Sequence, residues 1–460
     1  MLLSKIADYA VREQTSRLHP EVVHHAKRAV IDWYASLLPG SRVTPATLLE
    51  QALAEDLDRG RARLGSGRRA TARAAALING AASHSVEFDD IYRDAGYHPG
   101  SPVISAALAA AQSQGASGET FLRGVIVGYE TSTRIGEAIM PSHYRFWHTT
   151  GTVGALGAAA AAATVLGCSK AQFMHAVATV TTMAAGLQQA FRSQAMSKPL
   201  HGGHAADAGV LAALAAAKGV TGALDILEGE VGFGAAMSVN PSWDKATKGL
   251  GEDYHIVHVT FKNHGCCGHT FAPIDAVLLL QKQHQFGYRD VRRMRIATYK
   301  AGLDIVNNAN PEGDYQAKFS LQYTVAHALV HGSVRLNAFL SERMNDPEVR
   351  ATMKKIECVA DPELSKGYPK QRAAQVEIEL ADGRTVSHFQ PTRKGDPEMP
   401  LTDEELNDKY LELATPVLGE PGARQLLDLL WRTEQLANVD FDVALDRCGA
   451  ARGRLSTRDA

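Results

Sequence analysis

A long succession of helical segments rich in alanine and glycine constrains the fold of this chain more than any other feature. Up to about residue 260, apolar residues recur at helical spacing, and no alternating run of β-branched residues interrupts them. Small side chains let neighbouring helices approach closely. We therefore expect the first half of the chain to be all-α. The candidate helices span residues 20–37, 71–88, 101–111, 118–138, 149–166, 170–190 and 204–217.

The pattern changes near His264, where segments with the alternation of strands begin. A hairpin turn at Asp382-Gly383 joins the last two strand arms. The strand candidates are 294–300, 354–360 and 376–389, with helical stretches at 272–284 and 319–330 between them. After residue 401 the pattern is helical again, beginning with a capping-box-like threonine.

These patterns predict a mainly α protein with two domains. The larger is an all-α helical domain formed by residues 1–267 and 396–460. The smaller is an α+β lid domain formed by residues 268–395. We expect strands only within the smaller domain.

Composition narrows the class of function. Lys and Arg number 48 against 50 for Asp and Glu, so the chain has no strong field for nucleic acid or an anionic membrane. Its five cysteines show no paired spacing, which fits a reducing cytoplasm. The N-terminus lacks the apolar core of a signal peptide, and the most apolar run, residues 153–167, is too short to cross a bilayer. We expect a cytoplasmic protein that acts on small molecules.

Polar residues are densest between His84 and Gly100, which hold four carboxylates and two histidines. Because a helical pattern leads into Glu87, Asp89 and Asp90, we expect these acids at the C-terminal end of a helix. The helix dipole there raises a carboxyl pKa, which suits acid–base chemistry or substrate binding. The alternative is a solvated acidic loop.

A second polar group, Tyr144, Arg145 and His148, stands just before a predicted helix. The backbone N–H groups at such a helix start can hold a carboxylate. The glycines that follow come after no strand, so we reject a dinucleotide-binding fingerprint.

A third group surrounds Lys198. Because Lys198 precedes a proline, we expect it on a non-helical connection, where its amine can act as a base or bind a carboxylate. We expect the two glycines after His201 to leave room for substrate. The alternative is a surface lysine. His201 and His204 have a spacing that could hold a metal, but no third ligand is evident nearby, and we expect no metal.

Two weaker candidates lie further along the chain. His269 follows Cys266 and Cys267 near the predicted domain boundary, and we expect the histidine to face a cleft and the cysteines to be structural. Tyr323 lies on an otherwise apolar helix, where alone it would pass as a core tyrosine.

Five segments together, in this order, resemble the MmgE/PrpD family, whose members include 2-methylcitrate dehydratase, cis-aconitate decarboxylase and iminodisuccinate epimerase. The resemblance implies a helical domain built from both chain ends, an α+β lid, a homodimer, and cofactor-free chemistry on polycarboxylates. The segments are EFDD with HPG within 87–100, WHTTGT at 147–152, SKPLHGGHAA at 197–206, GCCGHTFAPIDA at 265–276 and KFSLQYTVAHAL at 318–329.

The resemblance also implies active-site positions, and two of them depart from the family pattern. Glu87 stands where Asp is common, and Ile91 stands where Thr is common. The positions implied by the family are Glu87, Ile91, His98, His148, Lys198, His269 and Tyr323. Together with the residue patterns they give our predicted site: His98, Tyr144, His148 and Lys198 as catalytic residues, and Glu87, Asp90, Arg145, His201, His269 and Tyr323 as substrate-binding residues.

The reactions of the family share a step in which a group, often a proton, leaves a carbon beside a carboxylate. Such a step needs a base near that carbon and donors on the carboxylates. Our first hypothesis is a dehydratase of a 2-methylcitrate-like substrate. The alternatives are an epimerase of an amino- or imino-dicarboxylate with Tyr144 and Lys198 as its two bases, a decarboxylase, and a non-catalytic carboxylate-binding protein.

Overall fold

The structure, a computed structural model, describes residues 1–193, 195–368 and 370–441. The chain forms two compact units, one of Met1–Thr260 with the chain from Thr402 onward, and one of Phe261–Leu401. We had placed these divisions at 267/268 and 395/396. The helical structure expected after residue 441, and Cys448, lie outside the described residues.

The first unit is built mainly from helices. Before residue 260 they are α1 (Leu2–Glu13), α2 (Pro20–Gly40), α3 (Ala46–Ala52), α4 (Ala72–Ser83), α5 (Gly100–Gln114), α6 (Gly118–Ile139), α7 (Thr149–Val165), α8 (Lys170–Thr181), α9 (Gln188–Arg192), α10 (Ser197–Ala217) and α11 (Phe233–Met237). Every residue of α7 is buried, and α7 packs against α5, α6, α8 and α10. Its small side chains explain this central position, because they let four helices approach it closely.

Two expectations for this unit are wrong in detail. Strands β1 (Leu57–Arg63) and β2 (Arg69–Ala70) form a small antiparallel pair within the half expected to be all-α. The sequence LDRGRAR did not predict a strand, because most of the β1 side chains are exposed and apolar alternation is absent. Helix α4 ends at Ser83 rather than at residue 88, so the acids expected at its C-terminal end lie in the following loop.

The second unit combines a sheet with short helices. Its helices are α12 (Phe271–His284), α13 (Lys300–Val306), α14 (Asp314–Lys318), α15 (Leu321–His331), α16 (Ser341–Met344), α17 (Pro347–Met353) and α18 (Pro362–Gly367). Its strands are β3 (Val291–Thr298), β4 (Ile356–Ala360), β5 (Ala374–Leu380) and β6 (Thr385–Gln390), in the order β4-β3-β5-β6. β3 pairs with β4 in parallel, and the other pairs are antiparallel. The predicted class, mainly α with a smaller α+β part, is confirmed.

The chain then returns to the first unit through α19 (Asp403–Trp431), which begins with a capping box at Thr402 and is interrupted at Gly419, where φ is 70°. α19 packs against α2. None of the helices in the described part of the chain combines the length and apolarity needed to cross a membrane.

Candidate active site

The loop between α4 and α5 carries three of the ten predicted site residues, Glu87, Asp90 and His98. Glu87 holds a φ of 60°, a left-handed conformation that is uncommon outside glycine. A bridge between Tyr92 and Tyr97 closes a tight turn around Gly96, whose φ is 55°. The loop therefore has a defined path that separates the side chain of Glu87 from those of the two aspartates that follow.

Asp89 links two histidines in the interior of the first unit. Its Oδ2 lies 2.6 Å from Nδ1 of His84 and 3.3 Å from Nδ1 of His98. Asp89 and His84 are buried, and His98 is half-buried. A carboxylate in this position fixes the tautomer and orientation of the imidazoles that donate to it. The sequence had singled out Asp89 among the acids of this segment, but neither Asp89 nor His84 was in our predicted site.

Asp90 is occupied by protein donors. Its Oδ1 accepts the backbone N–H of Gly100 at 2.9 Å, and its Oδ2 lies 2.7 Å from the hydroxyl of Tyr129. Burial, followed by the nearby charge of Asp32, raises the pKa of Asp90 to about 8. These contacts tie Asp90 to the start of α5 and to α6, and its predicted role in substrate binding stays a prediction.

Four imidazoles lie close together in this unit, and we call His84, His98, His148 and His201 the histidine cluster. The ring of His84 stacks on that of His148 with centroids 5.5 Å apart and lies 4.9 Å from that of His98. His148 and His201 meet through their Nδ1 atoms at 3.1 Å. Burial is the main cause that lowers the pKa of His148 well below its usual value and that of His201 to about 4. These two imidazoles are therefore neutral at pH 7.

Lys198 pairs with Glu87 through an ion pair between the amine and the carboxylate. The pair is half-buried, with 12% of the Lys198 side chain and 31% of the Glu87 side chain exposed. Our expectation that Lys198 lies off a helix is wrong, because it occupies the first turn of α10. A proline is tolerated there since the N–H groups of the first turn have no partner within the helix.

The two glycines after His201 serve helix packing rather than substrate access. A Cβ on Gly202 would lie 2.1 Å from Oγ of Ser101, and one on Gly203 would lie 2.2 Å from the carbonyl oxygen of Leu77. Both glycines therefore let α10 approach its neighbours at backbone distance. The expectation that they leave room for substrate is wrong.

Tyr144 and Arg145 lie on a short 3-10 helix, Ser142–Arg145, ahead of α7. The ring of Tyr144 lies against Gly96, and the guanidinium of Arg145 lies 4.9 Å from the ring centroid of Phe146. Arg145 and Phe146 are exposed. Helix α7 begins at Thr149 as predicted, with His148 immediately before it.

The remaining predicted residues belong to the second unit. Nδ1 of His269 lies 2.5 Å from the hydroxyl of Tyr299, and burial lowers the pKa of His269 to about 3. Tyr323 is fully buried, and its hydroxyl donates to the carbonyl oxygen of Ala338. That contact suits the alternative role of Tyr323 as a core residue.

One group among the described residues has donor atoms close enough to hold a metal ion. It consists of His84, Asp89 and His98, whose ligand atoms lie within 4.8 Å of one another. Two imidazole nitrogens and a carboxylate form a donor set that zinc accepts. From the sequence we had considered His201 and His204 as metal ligands and expected no metal. Nε2 of His204 lies 3.3 Å from the carbonyl oxygen of Met183.

Comparison with known proteins shows the family. Residues 4–246 match the MmgE/PrpD N-terminal domain, and residues 264–435 match the MmgE/PrpD C-terminal domain. The chain therefore belongs to the MmgE/PrpD family, as its motifs predicted.

Its relatives include enzymes of two kinds. The chain is 28% identical to cis-aconitate decarboxylase-like protein oryM of Aspergillus oryzae, over 96% of both chains. It is 30% identical to human cis-aconitate decarboxylase over 79% of this chain and 76% of the relative. It is also 27% identical to the mitochondrial 2-methylcitrate dehydratase of Yarrowia lipolytica, over 37% of this chain and 34% of the relative.

Proposed function

We propose that the chain is a cofactor-independent lyase that decarboxylates a small unsaturated polycarboxylate of the cis-aconitate type. The observation that carries the proposal is the histidine cluster beside the Glu87–Lys198 ion pair. This arrangement combines proton carriers with a cation suited to a carboxylate. Relatives named as decarboxylases match over most of the chain, which supports this choice of reaction.

Each group has a part in the proposed reaction. The amine of Lys198 binds a substrate carboxylate, and the negative charge of the substrate raises the pKa of the imidazoles around it. An imidazole that is neutral in the free enzyme then holds a proton in the complex. Loss of CO₂ leaves an electron pair that moves through the adjacent double bond, and the carbon at its far end takes this proton. His148 is our candidate donor, because it is buried within the histidine cluster.

A second candidate reaction is dehydration of a 2-methylcitrate-like substrate, our first hypothesis from sequence. It is favoured by Asp89, since a carboxylate behind His98 increases the basicity of the imidazole and so helps it remove a proton from carbon. The dehydratase relative from Yarrowia lipolytica supports this reaction as well. The epimerase with Tyr144 and Lys198 as bases also stays a prediction.

Product analysis in deuterated water separates these reactions. The purified protein is given cis-aconitate, 2-methylcitrate and imino- or aminodicarboxylates in turn, and products are followed by proton NMR. Decarboxylation releases CO₂ and leaves one deuterium on the product carbon. Dehydration forms an alkene without CO₂, epimerisation exchanges a carbon-bound proton without loss of a group, and a binding protein changes none of the compounds. Turnover of 2-methylcitrate without release of CO₂ from any substrate would replace the first candidate by the second.

A further part of the proposal, implied by the family, is that the chain works as a homodimer. Sedimentation velocity at micromolar concentration should then give about twice the chain mass of 49.4 kDa. A single species with the mass of one chain would contradict the dimer.

A further inference from the structure

In the second unit, two tyrosines and a histidine form a connected aromatic group. The rings of Tyr299 and Tyr368 are stacked with centroids 4.9 Å apart, and the Tyr299 hydroxyl is hydrogen-bonded to His269. The His269 ring lies 6.3 Å from that of Tyr368. Such a group offers hydrogen-bonding edges next to an apolar surface, a combination common in small-molecule sites.

Arg372 adds a positive charge to this group. Its Cζ lies 6.0 Å from the centroid of Tyr368, and its charge acts on both His269 and Tyr299. Its Nε is buried and has no hydrogen-bond partner among the residues that the structure describes. A buried donor on a charged group costs free energy when it is left unsatisfied. A ligand atom that accepts a hydrogen bond would satisfy this donor.

The nearby carboxylate of Asp396 is already engaged. Arg393 donates to it through Nε at 2.9 Å and through a terminal nitrogen at 2.7 Å, a bidentate pair buried in the same unit. Burial, followed by the charge of Arg393, lowers the pKa of Arg372, while the charge of Asp396 acts in the opposite direction. The charged form of Arg372 is therefore disfavoured at this place.

We propose that Arg372, with His269 and the hydroxyl of Tyr299, forms a carboxylate-binding subsite. A carboxylate would accept two hydrogen bonds from the planar guanidinium and supply the missing negative charge. The subsite rests on the proposed function in one respect: the ligand class we assign to it, a small polycarboxylate, is the class that the proposed function assigns to the chain. Arg372 is then the residue of this subsite that selects ligands with a carboxylate.

Binding of an unreactive tricarboxylate tests the subsite without any turnover. We would measure the affinity for tricarballylate by isothermal titration calorimetry, in the wild type, Arg372→Gln and Arg372→Lys. We expect Arg372→Gln to weaken binding roughly 10- to 100-fold, as for the loss of a charged hydrogen bond. Lysine keeps the charge but loses the planar pair of donors. The affinity of Arg372→Lys should therefore lie between that of the wild type and that of Arg372→Gln.

The matched control is Arg384→Gln, because Arg384 is an exposed arginine of the same unit, paired with Asp382 at the β5–β6 turn. It should bind as the wild type does. Thermal melts confirm that each variant folds, and guanidinium ion added to Arg372→Ala should restore part of the affinity.

Two results would overturn the subsite: no binding of tricarballylate by the wild type at millimolar concentration, or equal affinity in the wild type and in folded Arg372→Gln. Selective loss of binding in Arg372→Gln, with no turnover of any polycarboxylate by the wild type, would support the subsite and refute the proposed reaction. Turnover of a polycarboxylate by the wild type, with unchanged tricarballylate affinity in Arg372→Gln, would support the proposed reaction and refute the subsite.

Discussion

Replacing Lys409 by methionine tests how the C-terminal helix supports the site loop. Lys409 lies on α19 and is fully buried, and its Nζ donates to Oδ1 of Asp32 at 2.6 Å and to the carbonyl oxygen of Phe88 at 2.9 Å. Phe88 stands between Glu87 and Asp89, so this lysine fixes the backbone between two site residues. Lys409→Met keeps the aliphatic stem and removes the ammonium group.

The expected loss of stability follows from the carboxylate left behind. Asp32 would stay buried after losing the ammonium group that donates to its Oδ1, and it relieves this by taking up a proton in the folded state. Protonating an aspartate of ordinary pKa costs about 4 kcal/mol at pH 7, which agrees with roughly 3–5 kcal/mol for breaking a buried ion pair. At pH 5.5 the same protonation costs only about 2 kcal/mol. The difference between variant and wild type should therefore shrink by about half.

Urea unfolding followed by tryptophan fluorescence measures this loss. All four tryptophans lie in the first unit, so the signal reports on the unit that contains Lys409. Lys170→Met is the matched control, because Lys170 pairs with Asp8 at the surface and its loss should change stability by less than about 1 kcal/mol. The double variant Asp32→Asn with Lys409→Met should recover part of the loss. A loss of equal size at both pH values would refute the reasoning.

Three further predictions concern the site and its surroundings. Lys198→Met should fold and reduce turnover roughly a hundredfold or more, as expected for losing a positioned amine, while Lys170→Met leaves turnover unchanged; turnover within a few-fold of wild type would remove Lys198 from the chemistry. Asp89→Asn should reduce turnover by at least about tenfold and shift the pH–rate profile, because it weakens a charge-assisted hydrogen bond; an unchanged profile would make Asp89 merely structural. The free energy of unfolding should fall as pH drops from about 6.5 to about 4, because burial lowers the pKa of His143 to about 4 and only the unfolded chain takes up the proton in that window. His143→Gln should reduce this slope by the share of one histidine in urea titrations at several pH values, since other buried histidines such as His201 contribute to it as well, and a slope unchanged from wild type would contradict the assignment.

Much of the fold could be predicted because local patterns and tertiary packing agree. The apolar composition of α7 corresponds to a helix that is buried on all sides, and the alternation of β5 corresponds to a strand with one buried face. Prediction failed where tertiary contacts, rather than local sequence, determine the secondary structure. The β1–β2 pair has few apolar side chains, and the start of α10 contains a proline that the sequence pattern assigns to a connection.

The same distinction holds for the site residues: motifs predicted some of them, and tertiary contacts decide the roles of the others. The motifs named His148 and Lys198, which the structure brings into one region of the first unit, where the charge of Lys198 acts on His148. They could not separate the roles of Asp89 and Asp90, which are adjacent in sequence but point to different partners. Only the path of the loop, with Glu87 at positive φ, decides which acid meets the histidines.

The contact between α19 and Phe88 also sets an order of events during synthesis of the protein. The residues that form the second unit leave the ribosome before α19 does, since α19 begins at Asp403. A nascent chain that ends before Lys409 contains every residue of the histidine cluster but lacks the cation that neutralises Asp32. The first unit therefore acquires its final stability only when the last helix has been made.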